Sequence, residues 1–150
     1  MQRTTYICYT PSMNEPSFFR VSIKGIAVDA DGRFMLTRED NGMWDMLGGG
    51  IDHGEDPIAA LRREIQEEAG LTITWISPTP KYLVTAPRRY GHDTYLAQII
   101  YEIRLKDLHI TPSEECQELR FFTPDEARQQ KLSPTVEKLV DIFDPQLHIK

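Results

Sequence analysis

The sequence predicts an α/β protein, and three observations lead there. Short runs rich in Val, Ile, Phe and Tyr recur along most of the chain, bounded by Gly, Pro, Asn and Asp. One segment, Asp56 to Gly70, instead carries its apolar residues at helical spacing. Two further helix starts, Thr123-Pro124 and Ser133-Pro134, follow the last strand-like run. Strands, a helix, more strands and closing helices make a layered α/β domain.

Residues 1–17, with Pro11 and Pro16, read as an irregular N-terminal arm, and residues 18–150 as one domain. Phe18 to Ala30 reads as a strand through Phe19, Val21, Ile23, Ile26 and Val28. Asp29-Ala-Asp-Gly32 supplies turn chemistry, so Arg33 to Thr37 is expected to return beside that strand as a hairpin. After a polar loop, Arg38 to Gly42, come Trp44-Asp-Met-Leu and the glycine run Gly48 to Gly50, a mark of tight turns or close backbone approach. Asp56 is placed as an N-cap, Pro57 as the first helical residue and Gly70 as the residue that ends the helix. Ile58, Leu61, Ile65 and Ala69 form one stripe, which should meet the core. Leu71 to Ser77, Lys81 to Ala86, Thr94 to Lys106 (long, and bent) and Glu118 to Thr123 read as strands. Pro124 to Gln130 and Ser133 to Phe143 read as helices. Neither an internal repeat nor a linker divides the chain.

The chain has 150 residues, 40% hydrophobic and 27% charged, enough for one globular core. Its net charge of −6, from 17 Lys+Arg against 23 Asp+Glu, disfavours binding to nucleic acid or to an anionic membrane surface. A phosphorylated substrate would therefore need a metal to supply much of the positive charge. Cys8 and Cys116 make neither a disulfide framework nor a CxxC metal or redox motif. No signal-peptide core occupies the first fifteen residues, and no apolar run nears the roughly 20 residues of a membrane span. A cytoplasmic, reduced protein is the expectation.

Glu64, Glu67 and Glu68 sit at i, i+3 and i+4, so their carboxylates share one helix face. Like charges at that spacing cost about 0.2–0.5 kcal/mol per pair. Glu67 and Glu68 also lie in the last turn, where the helix dipole favours cations. A hard divalent cation would relieve both penalties, and clustered carboxylates suit Mg²⁺ far better than zinc.

The surrounding segment runs Gly49, five residues, Glu55, seven residues, Arg63-Glu64-Ile65, one residue, Glu67-Glu68, one residue, Gly70-Leu71. This resembles the Nudix box of the Nudix hydrolase superfamily, with every fixed position matched. A chance match is on the order of 10⁻⁷ from ordinary residue usage. Trp44-Asp-Met-Leu-Gly-Gly resembles the family's Trp-x-x-Pro-Gly-Gly approach, with Leu47 where Pro is usual. Glu118 to Glu126 resembles the closing strand and following helix, so the likeness covers Phe18 to Phe143.

The resemblance implies an α/β/α sandwich around a mixed β-sheet. It also implies hydrolysis of a nucleoside diphosphate linked to another group, with Mg²⁺ or Mn²⁺ as cofactor. Glu64, Glu67 and Glu68 would hold metal, with the Gly48 carbonyl a further ligand. Arg63 would position this cluster, with Glu55 as its structural partner. A further acid is expected from the loop before the last strand, where alignment on Leu119-Arg-Phe-Phe favours Glu115 over Glu114. The general base is Glu64 or that distal Glu. For substrate binding, Arg88, Arg89 and Tyr90 offer phosphate and base contacts, and Arg38 flanks the site; Trp44 reads as packing, and His53 and His92 as surface residues. Pro87, sixteen residues after Leu71, resembles a spacing in ADP-ribose pyrophosphatases. The expected partner is a small-molecule nucleotide, with no nucleic acid and no membrane; monomer and homodimer both remain open. The alternative is a Nudix-like domain that binds nucleotide as a sensor without hydrolysis, but such a domain should lose a box glutamate, and none is lost.

Overall fold

The computed structural model describes residues 19–87 and 95–148. The expected arm 1–17, Cys8, Arg88, Arg89, Tyr90 and His92 lie outside the described residues. In chain order the elements are β1 (Phe19–Ile26), β2 (Phe34–Arg38), β3 (Trp44–Asp45), α1 (Pro57–Ala69), β4 (Ile73–Ile76), β5 (Tyr82–Pro87), β6 (Tyr95–Leu105), β7 (Glu118–Phe122), α2 (Pro124–Arg128) and α3 (Pro134–Ile142).

Strand β6 organises the larger sheet. It runs parallel to β1 along one edge, from Phe19 opposite Tyr95 to Ile26 opposite Glu102. Along its other edge it pairs antiparallel with β5 and then with β4, whose register shifts between Ile73 and Trp75. The smaller sheet is antiparallel, in the order β3-β2-β7. The hairpin expected between β1 and β2 is thus corrected. The turn forms as read: Asp29 Oδ1 accepts the N–H groups of Asp31 and Arg33 at 3.0 and 2.9 Å, and Gly32 takes φ +76°. Only a bridge at Val28 and Phe34 follows it. The chain then diverges, because β1 and β2 belong to different sheets.

Alternation along the strands explains the layers. Phe34 and Leu36 of β2 enter a core with Ile26, Tyr82, Ile100 and the α3 residues Val136 and Leu139. Met35, between them, enters a second core with Ile23, Ile103 and the α1 residues Leu61 and Ile65. A period of two thus buries both faces, with α1 on one side and α3 on the other. The architecture is mixed α/β, as the resemblance implies.

Helix α1 forms as its ends dictate. Asp56 accepts the Ala59 N–H at 2.9 Å, Pro57 opens the first turn, and Gly70 closes the helix at φ +68°. Its apolar stripe packs so closely on β1 that a Cβ at Gly25 would lie 3.1 Å from Ile65 Cδ1, and 2.7 Å from Ile103 Cδ1 of β6. Gly25 therefore sets how near the helix comes to the sheet. At the C-terminal end, His148, which sequence reading left unassigned, is buried between Tyr82 Oη (2.8 Å) and Glu102 (3.1 Å).

Overpacking a core by one methyl group typically costs about 1–3 kcal/mol. Gly25→Ala should therefore lower the melting temperature, and Ile103→Val should do so through lost burial. Combined, they should cost less than the sum of the two, because the valine lacks the Cδ1 that the new methyl would strike. Thermal melting of the two single variants and the double variant measures this.

Candidate active site

The glycine run reaches the site because it is stitched to β1. The N–H groups of Ile23 and Gly25 donate to the carbonyls of Gly49 and Leu47, both at 2.9 Å. Gly48, between those carbonyls, has φ +119°, and a Cβ there would strike the Ile23 carbonyl oxygen. Both facts require glycine at this position. Leu47, standing where Pro is usual in the family's approach, is buried in the α1 core. At Gly49 a Cβ would lie 2.5 Å from the Glu64 carboxylate carbon, so this backbone and α1 are in close contact.

Gly48 joins two charged groups. Its N–H donates to Glu68 Oε2 at 2.9 Å, and its carbonyl accepts from the Lys24 ammonium, which also donates to Met46 O at 2.9 Å. Lys24 is buried in the middle of β1. Glu68 is only 8% exposed, and its carboxyl is pushed up to about 8. Burial is the largest cause; Lys24 and the Gly48 N–H oppose it, and the neighbouring Glu115 adds to it.

Arg63 organises the exposed half of the cluster. Its Nε and Nη2 donate to the two oxygens of Glu55, each at 2.8 Å. Its Nη1 donates to Glu64 at 2.9 Å and Glu67 at 3.2 Å. Such a two-point grip holds the guanidinium plane in one orientation. It brings the Glu55 carboxyl down to about 2, while the carboxylates hold Arg63 well above its usual range.

The loop before β7 closes the site. Ser113 Oγ donates to the Glu68 carbonyl at 2.5 Å, and the Thr111 N–H to the Ala69 carbonyl at 2.8 Å. These bonds dock the loop on the last turn of α1. One cavity of about 280 Å³ results, lined by Glu64, Glu67, Glu68, Ser113, Glu114 and Glu115. Both distal candidates line it, and Glu115 is the one that acts on Glu68. Cys116, buried behind, is a free thiol pushed up to about 11 by burial.

The structure therefore brings Gly48, Arg63, Glu64, Glu67, Glu68 and Glu115 together. Arg38 stands apart: its Nε donates to Glu118 Oε2 at 2.9 Å across the smaller sheet, and it does not line the cavity. Sequence reading placed it near the site because Arg38 precedes the glycine run by only a short loop. Lys24 and Ser113 were not singled out. The only signal for Lys24 was one charge between Ile23 and Ile26 in an apolar run.

The donor set suits a hard cation: several carboxylate oxygens and a backbone carbonyl, with neither thiol nor imidazole among them. Among the described residues no three His, Cys, Asp or Glu side chains are gathered at metal-binding geometry. The oxygens are held apart by Arg63 and the Gly48 N–H. Mg²⁺ tolerates such an open arrangement, since it keeps several waters and uses few protein carboxylates.

Because the folded Glu68 carboxyl lies above its ordinary value of 4.5, the folded state binds the extra proton. Its contribution to stability is then full below about 4.5 and is lost as pH rises through about 8. In metal-free protein, Glu68→Gln should flatten the fall in melting temperature between pH 5 and pH 8 and melt above wild type at pH 8. Parallel wild-type and variant curves would mean that another group controls this window.

Known proteins share both sequence and architecture with this chain. Nucleoside triphosphatase NudI of Escherichia fergusonii is 28% identical over 127 residues, covering 77% of this chain and 90% of that protein. A MutT protein structure from Methanosarcina mazei superposes with a TM-score of 0.71 at 18% identity, covering 89% of this chain and 98% of that one. An ADP-ribose pyrophosphatase structure from Streptococcus suis gives 0.61 at 18% identity, covering 85% and 89%. The profile of the NUDIX domain matches residues 18–142. With that match over most of its length, the chain belongs to the NUDIX domain family and is a Nudix pyrophosphohydrolase.

Proposed function

We propose that the protein is a Mg²⁺- or Mn²⁺-dependent hydrolase of a nucleoside diphosphate linked to another group, such as a nucleotide sugar or an ADP-ribose-like compound. One observation carries this reading: Glu64, Glu67 and Glu68 of the box and the distal Glu115 line a single cavity. When bound, the cation neutralises phosphate charge and makes a bound water more acidic. Glu64, Glu67 and Glu68 are assigned to hold it. The Gly48 carbonyl can join them through the lone pair that Lys24 leaves free. Arg63 fixes Glu64 in place, and Glu64 or Glu115 takes the proton from the attacking water.

The spacing of Pro87 from Leu71 and the ADP-ribose pyrophosphatase of like fold both favour a diphosphate linked to a sugar. A second reading, a nucleoside triphosphate substrate, is favoured by the NudI relative. Every box acid is in place, which disfavours a nucleotide sensor without hydrolysis. The negative net charge and the small acidic cavity fit a small-molecule nucleotide that arrives with a metal ion.

A panel of nucleoside diphosphate sugars, dinucleoside polyphosphates and nucleoside triphosphates, assayed with Mg²⁺ and product identification, tests this directly. A nucleoside monophosphate should be released from at least one diphosphate-linked substrate, and chelation should abolish the release. Glu64→Gln should lower kcat on the best substrate by about two decades or more, consistent with loss of a general base. Glu137→Gln, on the exposed face of α3, should leave it unchanged. Exclusive turnover of triphosphates would transfer the conclusion to the second reading.

A further inference from the structure

Alternate residues of β1 point to one face of the sheet, so Arg20, Ser22 and Lys24 form a polar stripe on a strand that otherwise feeds the core. The stripe starts at the exposed Arg20, whose guanidinium lies against Gly50, where a Cβ would strike Nη2. It ends at Lys24, whose ammonium sits on the Gly48 carbonyl of the active site. Ser22 lies between them, in register with Gln98 on the parallel strand β6. Gln98 is in turn opposite Val84 of β5, so the three side chains share this face.

Ser22 is 5% exposed and Gln98 3%. Among the described residues, Ser22 Oγ and Gln98 Oε1 are the buried side-chain polar atoms that have no hydrogen-bond partner. Buried polar atoms are nearly always paired, so two orphans on adjacent registered positions require an explanation. A hydroxyl both donates and accepts, and the carboxamide oxygen accepts. Together they match a ligand edge that presents a donor beside an acceptor. Two residues along a strand span roughly 7 Å, comparable to the step from phosphate to base across a ribose.

We propose that Ser22 and Gln98 form a specificity subsite that reads the hydrogen-bonding edge of the substrate's nucleobase. This rests on the reading of the substrate as a nucleotide, but its test does not require hydrolysis. Titration calorimetry of the full chain with ADP, GDP, CDP and UDP should show a preference of about tenfold or more for one base or one base class. Ser22→Ala and Gln98→Met should each reduce that preference below about threefold, whereas Ser22→Thr, which keeps the hydroxyl, should retain it. Ribose 5-phosphate, which has no base, should bind wild type and variants equally. Since each truncation removes an unpaired polar atom, both truncated variants should melt higher than wild type, by roughly 2–4 °C. Equal or undetectable binding of all four nucleotides by wild type would overturn the proposal, as would variants that keep its preference. A preserved preference with a lowered melting temperature would assign the two groups to a structural water. Variants that instead lose ribose 5-phosphate would assign them to the sugar. Failure of the hydrolysis panel would bear on the proposed function alone.

Discussion

Close contact between the glycine run and β1 is the constraint on which the site depends. The carbonyls of Leu47 and Gly49 take N–H groups from β1, and the Gly48 backbone between them has no room for a side chain. That contact places one residue, Gly48, between a buried ammonium and a buried carboxyl group, Lys24 and Glu68. It also sets the glycine backbone against the Glu64 carboxylate. If the run moved away from β1, Glu68 would lose the backbone N–H of Gly48. Acidic side chains can be crowded here because the backbone that opposes them is fixed.

Electrostatics divides the cluster into two halves. The exposed half is governed by Arg63, whose fork takes Glu55 with two bonds and Glu64 and Glu67 with the remaining nitrogen. There the guanidinium orients the three carboxylates and lowers the Glu55 carboxyl. In the buried half, desolvation dominates and Glu68 rises despite Lys24 and a backbone donor. Pairing at Glu55 and desolvation at Glu68 thus act in opposite directions at the two ends of α1. A divalent cation would complement both halves, by replacing the lost hydration of Glu68 and screening the exposed group from its neighbours.

Coverage of the sheets by helices makes this arrangement rigid. Helix α1 is pressed onto β1 at Gly25, and the loop before β7 is tied to the end of α1 by Ser113 and Thr111. Three segments distant in sequence thus meet at the last turn of one helix. On the opposite side of the sheet, α3 and the His148 contacts with Tyr82 and Glu102 close a second core.

The sequence by itself determined whatever local rules govern. Helix α1 was legible from the Asp56 cap to Gly70, because capping and a 3.6-residue period act within a few residues of one another. The shared face of Glu64, Glu67 and Glu68 followed from the same period, and the spacing from Gly49 to Leu71 identified the family. Tertiary structure alone decided what depends on strand partners. The turn after β1 was read correctly, yet β1 pairs in parallel with β6, because register is set by which buried faces fit together. For the same reason Arg38, close to the site in sequence, is turned toward Glu118, while Lys24, far from the box in sequence, reaches Gly48. A local pattern can state that a residue is buried or exposed, but only the packed sheets decide which distant backbone it meets.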